Sequence, residues 1–374
     1  MLSTEQLSFL ETIERTRRID TDKNFIGPIK PTAPRNKKLT PNLRDKDKYI
    51  LHYRNLKFYL KMKMKIKRVH RILAFDQSPW LKSYIDFNTA KRAEAKSEFE
   101  KSFFKLLNNS VFGKTCENIR NHRKLDFIGT EKRAEKFAAQ PTFRNYHLFH
   151  ENLIAIERYK TSIYFDRPIY TGFSVLDISK ILMFDFHYQT IKEKYPGDKS
   201  TLCFTDTDSF LYKIKTDDIY MDMLNDFQMY DFSDYADDHP CFSGLPPETV
   251  EHIKSTNKKT VGKFKDEEKG IAITEFIGIR AKCYSYKRID GQCRKKLKGI
   301  KKSVVKQTIQ HEHYRQCLFD DQQLYASMNT FRSYNHQLKT IRQTKSALLN
   351  FDDKRHLLSC GLKTMAHGHY SIKY

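Results

Sequence analysis

The run Phe204-Thr205-Asp206-Thr207-Asp208-Ser209-Phe210 sets two carboxylates two residues apart, between the apolar segments Leu202-Cys203-Phe204 and Phe210-Leu211-Tyr212. This pattern predicts a hairpin between two buried strands, and at strand period two Asp206 and Asp208 project to one face. Paired carboxylates in such a place suit a hard cation such as Mg²⁺, which prefers oxygen ligands. The competing reading is an Asx turn, with the carboxylates capping neighbouring backbone N–H groups. A bare Asp-x-Asp is common, and taken alone it favours the turn. A second run, Lys105-Leu106-Leu107-Asn108-Asn109-Ser110-Val111-Phe112-Gly113-Lys114, puts Lys105, Asn109 and Phe112 at i, i+4 and i+7. A cation, an amide and a ring then share one helical stripe, which could grip a triphosphate, touch its sugar and pack on a base. Gly113 would let another backbone or a nucleic acid come close. An amphipathic helix with a solvated lysine is, by itself, the commoner explanation.

The elements that must position these residues follow from pattern. Residues 89–118 have helical spacing, with Phe99, Phe103, Leu106, Leu107 and Ser110 on one side, and two antiparallel basic helices are expected there. A short amphipathic helix is expected over 4–18. Pro28, Pro31, Pro34 and Pro41 make 20–48 an extended arm. Residues 49–62 form a dense apolar-aromatic stretch, followed by a basic one over 61–71. The charged segment 117–151 reads as an irregular insertion and 153–165 as a strand. After Pro168, 175–194 reads as a long, largely buried helix. Residues 202–214 read as strand, acidic turn, strand; 217–259 is acidic and proline-punctuated; 260–288 returns to strand. From Lys295 onward the chain is basic and expected to be mostly helical. No internal repeat is present.

The 374 residues carry 68 Lys and Arg against 45 Asp and Glu, a net charge of +23. A surplus of this size favours a polyanionic partner, nucleic acid first and an acidic membrane surface or protein second. Hydrophobic residues at 39%, with 27 Phe and 21 Tyr, exclude disorder throughout. No apolar run approaches the roughly 20 residues of a bilayer span, so no membrane-spanning segment is expected. The first fourteen residues have no basic residue and no long apolar stretch, unlike a secretory signal. Seven scattered cysteines without a C-x-x-C pair read as reduced intracellular thiols rather than a disulfide framework or a zinc site.

Taken in order, K-x-x-x-N-S-x-[YF]-G followed by D-T-D-S resembles motifs B and C of the family-B DNA polymerases. Lys282-Cys283-Tyr284 is similar to the K-x-Y motif that follows motif C in protein-primed members. Tyr53-Arg54-Asn55-Leu56, Gln77-Ser78-Pro79-Trp80-Leu81-Lys82, Phe87-Asn88, Lys301-Lys302-Ser303-Val304-Val305-Lys306 and Ala366-His367-Gly368-His369-Tyr370 extend the resemblance to the polymerases of Polinton/Maverick elements and their viral relatives. It runs from about Lys37 to the C-terminus. The fold it implies is α+β, the C-terminal part of a right-hand polymerase. Its parts would be an N-terminal helix and arm over 1–48, palm edge and fingers over 49–118, palm with an insertion, motif C and K-x-Y over 119–290, and thumb over 291–374.

The resemblance also assigns roles. Asp208 and Asp206 match the palm metal ligands of a two-Mg²⁺ site. Lys105 matches the fingers lysine on the incoming dNTP, and Asn109 the amide beside it. Phe112 stands where the family usually has Tyr, keeping the ring and losing a hydroxyl. Lys101 and Arg92 resemble auxiliary phosphate cations. Lys282 and Tyr284 resemble the pair that steadies the primer terminus. The run 294–306, with Lys301 and Lys302, looks like thumb contacts to duplex backbone. Primer–template DNA and dNTPs are the implied partners, with a terminal protein where priming is by protein, at a nuclear or viral replication site. The family's remaining metal carboxylate belongs to motif A, D-x-x-S-L-Y-P, which has no counterpart before Lys105; Asp76 and Asp86 lack the Ser-Leu-Tyr-Pro that follows it. The chain therefore reads as the C-terminal half of a polymerase. A catalytically inactive DNA-binding derivative is the alternative, and a metal-dependent nuclease is a weaker third.

Overall fold

The computed structural model describes residues 40–258, 260–334, 337–352, 354–360 and 362–372. The helix expected over 4–18 and most of the arm expected over 20–48 lie outside these. The chain mixes helices and strands, as expected. It divides into two compact units, one containing Arg71–Val175 and Asn329–Ile341, the other Lys38–His70, Leu176–Met328 and Arg342–Tyr374.

Helix α1 (Tyr53–Lys61) opens the second unit. The ring of His52 caps it by accepting from Arg54 N–H. Buried Asn55 donates to the Asp177 carbonyl at 2.8 Å, and His52 N–H donates to the Asp177 carboxylate at 2.8 Å. The Tyr-Arg-Asn text thus anchors a helix.

In the first unit, α2 (Lys82–Glu94) and α3 (Glu98–Thr115) form the expected antiparallel pair, broken at 95–97. Ser97 starts α3 with a capping box. Its hydroxyl accepts from Glu100 N–H at 3.1 Å while the Glu100 carboxylate accepts from Ser97 N–H at 3.2 Å. Buried Asn88 donates to the side chain of Asn108 at 2.9 Å across the pair.

The segment expected to be an irregular insertion is ordered. β1 (Lys124–Ile128), α4 (Glu131–Ala138), β2 (Phe143–His150) and β3 (Leu153–Arg158) make an antiparallel sheet in the order β1-β3-β2 over a core of Ile128, Ala134, Ile154 and Ile156. Several of its charges find partners in the fold, which is why charge density misled. Arg158 meets Asp126 at 2.7 Å and lies 4.4 Å over the Phe137 ring, and Arg123 meets Glu157 at 2.7 Å. The strand expected over 153–165 stops at Arg158.

Glu117, just past α3, gathers Lys114 at 2.7 Å, His122 at 2.9 Å and Arg167 at 3.2 Å. Hydrogen bonds from Lys114 first, then His122, outweigh desolvation and pull its pKa down to about 2. A carboxylate with a depressed folded pKa adds stability that is present above its ordinary value and is lost as pH falls through the folded value. Glu117→Gln is therefore expected to melt below wild type at pH 7, with the gap closing between about pH 4.5 and pH 2. Thermal melts at stepped pH check this, and a gap that does not depend on pH would mean that the charge is irrelevant.

Helix α5 (Ile169–Asp185) starts directly after Pro168, six residues earlier than expected, and passes into a π-helical turn over Phe186–Ile191. It is less buried than its composition suggested. Val175, Leu176, Ile178 and Leu182 are exposed, because the apolar run is wider than the face that the core covers.

The rest of the second unit begins with the hairpin β4 (Ser200–Thr205) and β5 (Phe210–Ile214). α6 (Ile219–Asn225), β6 (Tyr230–Asp231), α7 (Pro247–Thr256) and β7 (Phe264–Lys265) follow. They enclose a core of Phe186, Ile191, Tyr195, Phe232, Tyr235, Phe242 and Ile253, on which Phe210 and Tyr212 pack. β8 (Ile273–Arg280), β9 (Cys283–Arg288) and β10 (Cys293–Leu297) form an antiparallel sheet with β9 central. The region from Lys295 is not mostly helical. Among its described residues only α8 (Lys302–Thr308) and α9 (His311–Phe319) are helices, and a long hairpin follows, β11 (Leu324–Tyr334) with β12 (Gln337–Leu348), whose outer part, Asn329–Ile341, belongs to the first unit. Ala326, Met328, Ala347 and Leu348 at its base bury with Ile277, Cys283, Ile309 and Tyr314. After β13 (His356–Leu357) and β14 (Thr364–Met365), a parallel bridge joins His367 to Asn42, and Leu43 N–H donates to the His367 carbonyl at 2.8 Å. Gly368, at φ +80°, accommodates Arg44: a Cβ there would lie 2.9 Å from Arg44 Cγ. All seven cysteines are free. Among the described residues no helix is long and apolar enough to cross a membrane.

Candidate active site

The turn between β4 and β5 closes on its own backbone. Asp206 N–H donates to Ser209 O at 3.1 Å, Asp208 N–H to Asp206 O at 2.7 Å, and Ser209 Oγ to Asp206 O at 3.3 Å. Thr207 adopts a left-handed φ of +61°, so the two carboxylates come to one side through the turn and not through strand alternation. Among the described residues neither carboxylate accepts from a backbone N–H. Asp206 takes a long 3.5 Å bond from the Thr207 hydroxyl and an ion pair with Lys282 Nζ at 3.2 Å. Asp208 is exposed, and its carboxylate makes no hydrogen bond or ion pair among the described residues. The strands are mostly half-buried rather than buried.

Lys282 sits in the β8–β9 turn at φ +60°, where its carbonyl accepts from Lys298 N–H at 3.0 Å. Two residues on, Tyr284 lies with its ring 4.6 Å from Phe204 and 5.8 Å from Phe276. Burial first, then the nearby Glu267 and Asp206 charges, raise its hydroxyl pKa, so it stays a neutral donor. Alternation along β9 sends Cys283 and Ser285 into the core and leaves Tyr284 and Tyr286 facing the other way. Ser285 is pinned by His311 at 2.8 Å, and Tyr286 donates to buried Glu268 at 2.6 Å, which also holds Arg288 at 2.8 Å.

Asp206, Asp208, Lys282 and Tyr284 thus line one open pocket of about 270 Å³. Two further charged residues line it that sequence reasoning did not single out: Glu267, and Lys296, which falls inside the basic run 294–306 expected to touch duplex backbone. Lys296 is the register partner of Tyr284 on β10, and Glu267 precedes the buried Glu268. The Glu-Glu pair ahead of a strand was the only available signal for Glu267. Lys301 and Lys302, at the start of α8, are exposed and have no ion pair among the described residues.

The other expected residues belong to the first unit. Lys105 and Asn109 are exposed on α3, Phe112 is half-buried one turn on, and no atom approaches the place of a Cβ on Gly113 within 4 Å. Lys101 is engaged by Glu98 at 2.8 Å. Arg92 on α2 is exposed and has no ion pair among the described residues, whereas Asp86 is taken by Lys82.

No family model, no curated protein and no solved structure matches this chain.

The donor chemistry at the hairpin suits a hard divalent cation, with carboxylate oxygens at an open, water-accessible turn. Among the described residues no three His, Cys, Asp or Glu side chains are gathered closely enough to hold a metal. The hairpin thus offers two oxygen-donor side chains, Asp206 and Asp208, and no gathered set of three.

Proposed function

We propose that this chain is the motif B, motif C and thumb portion of a family-B DNA polymerase, working on primer–template DNA with dNTPs. The observation that carries the reading is the meeting of two motifs distant in sequence, D-T-D-S and K-x-Y, in one pocket that presents Asp206, Asp208, Lys282 and Tyr284. Attack of a primer 3′-OH on an α-phosphate builds negative charge, and bound Mg²⁺ ions would supply its compensation. In that chemistry Asp206 and Asp208 hold the metal side of the site. Tyr284, neutral and braced by Phe204 and Phe276, presents a hydroxyl and a ring to a primer end. Lys105 and Arg92 offer exposed ammonium and guanidinium groups to a triphosphate, and Asn109 and Phe112 offer an amide and a ring to its nucleoside. The rival reading, a DNA-binding derivative without catalysis, rests on the missing motif A counterpart.

Primer extension separates the two. The chain alone, given Mg²⁺, dNTPs and primer–template, is expected to extend poorly or not at all. Supplying a motif A half from a related element, fused or in trans, is expected to restore incorporation. Lys105→Ala in the restored protein should then chiefly raise the KM for dNTP, because it removes a contact made before and during the reaction. Complementation that yields no incorporation would favour the non-catalytic reading, and robust extension by the chain alone would mean that another carboxylate replaces motif A.

A further inference from the structure

We propose that the Lys282 ammonium is a built-in counter-ion for the D-T-D-S hairpin, holding Asp206 when no metal is bound and competing directly with divalent cations for it. This rests on the metal-binding reading of the hairpin. The geometry is selective. Lys282 Nζ reaches Asp206 Oδ2 at 3.2 Å, while the exposed Asp208 has no charged partner among the described residues. Asp206 is the more enclosed of the two, its side chain about one-third exposed. An enclosed carboxylate benefits most from a fixed positive charge.

The lysine is placed by its backbone. Its φ of +60° is one that side-chain-bearing residues seldom adopt, and the turn is tied to Lys298 by a hydrogen bond of 3.0 Å. Its side chain is half exposed, so the ammonium can leave Asp206 for water without disturbing the core. A cation entering between Asp206 and Asp208 meets a like charge that must move away. Once displaced, that charge stands in the same pocket as Lys296, free for an anionic oxygen. Metal entry and anion capture are thereby coupled, and each must strengthen the other equally.

The test is Mn²⁺ binding to the full chain, followed by electron paramagnetic resonance. The difference between wild type and the Asp206→Asn/Asp208→Asn double variant defines the hairpin site. Lys282→Met, which keeps the stem and removes the charge, is expected to bind Mn²⁺ at that site roughly tenfold more tightly. Lys282→Arg is expected to stay near wild type. Lys282→Asn, a residue that tolerates left-handed backbone, should repeat the gain if Met disturbs the turn. A hairpin site whose affinity is unchanged or weaker in both neutral variants overturns the counter-ion role while leaving the metal reading intact. Absence of any carboxylate-dependent Mn²⁺ site in all variants overturns the metal reading itself, and this proposal with it.

Discussion

Asp208→Asn in a protein complemented with a motif A half is expected to lower nucleotide incorporation by at least about 10²–10³-fold, since such chemistry depends above all on stabilising the charge that develops in the transition state. DNA affinity is expected to change little. Asp208 is exposed and has no ion pair among the described residues, so its loss breaks no packing and no structural pair. Amide for carboxylate keeps the shape and removes the charge that a divalent cation requires. Single-turnover extension beside a binding titration reads both quantities. Parallel loss of DNA binding would recast Asp208 as a scaffold residue. Undiminished incorporation would remove the hairpin from the chemistry altogether.

Binding to primer–template DNA is expected to weaken by about 10³-fold between 50 and 200 mM salt if about six phosphates are neutralised, because each neutralised phosphate adds about 0.9 to the slope of log K against log salt. The net charge of +23 motivates this, as do Lys301 and Lys302, which have no ion pair among the described residues. Lys301→Ala with Lys302→Ala should flatten the slope by about two phosphates and leave any base preference unchanged, since backbone contacts carry no sequence information. A titration flat in salt, or a strong preference for one sequence, contradicts backbone binding.

What the sequence disclosed depended on how local the cause was. The β4–β5 hairpin was legible because apolar runs flank an acidic turn, and the α2–α3 pair because its spacing is helical. The break between those helices was legible too, in Ser97-Glu98-Phe99-Glu100, a capping-box spacing passed over within a longer helical pattern. The sheet β1-β3-β2 was hidden by charges that find partners only after folding, such as Arg158 with Asp126. The β11–β12 hairpin was hidden because, among its described residues, burial is confined to the base and rests partly on residues as small as Ala326 and Ala347. At the site, Asp206 and Asp208 came from their spacing in an acidic turn, and Lys282 and Tyr284 from the resemblance to a K-x-Y motif. Lys296 depends on cross-strand register with Tyr284, which no single segment encodes.

The bridge between Asn42 and His367 closes a loop over most of the sequence, one whose chain runs through residues of both units. Closing so long a loop costs only slightly more entropy than closing one half as long, by about 0.6 kcal/mol. A short clasp can therefore hold it, provided nothing crowds the crossing. That explains the demand for Gly368 at a point where Arg44 leaves no room for a side chain. It also means that a single cut in an intervening loop leaves the segment around Asn42 clasped to His367 by its backbone hydrogen bonds.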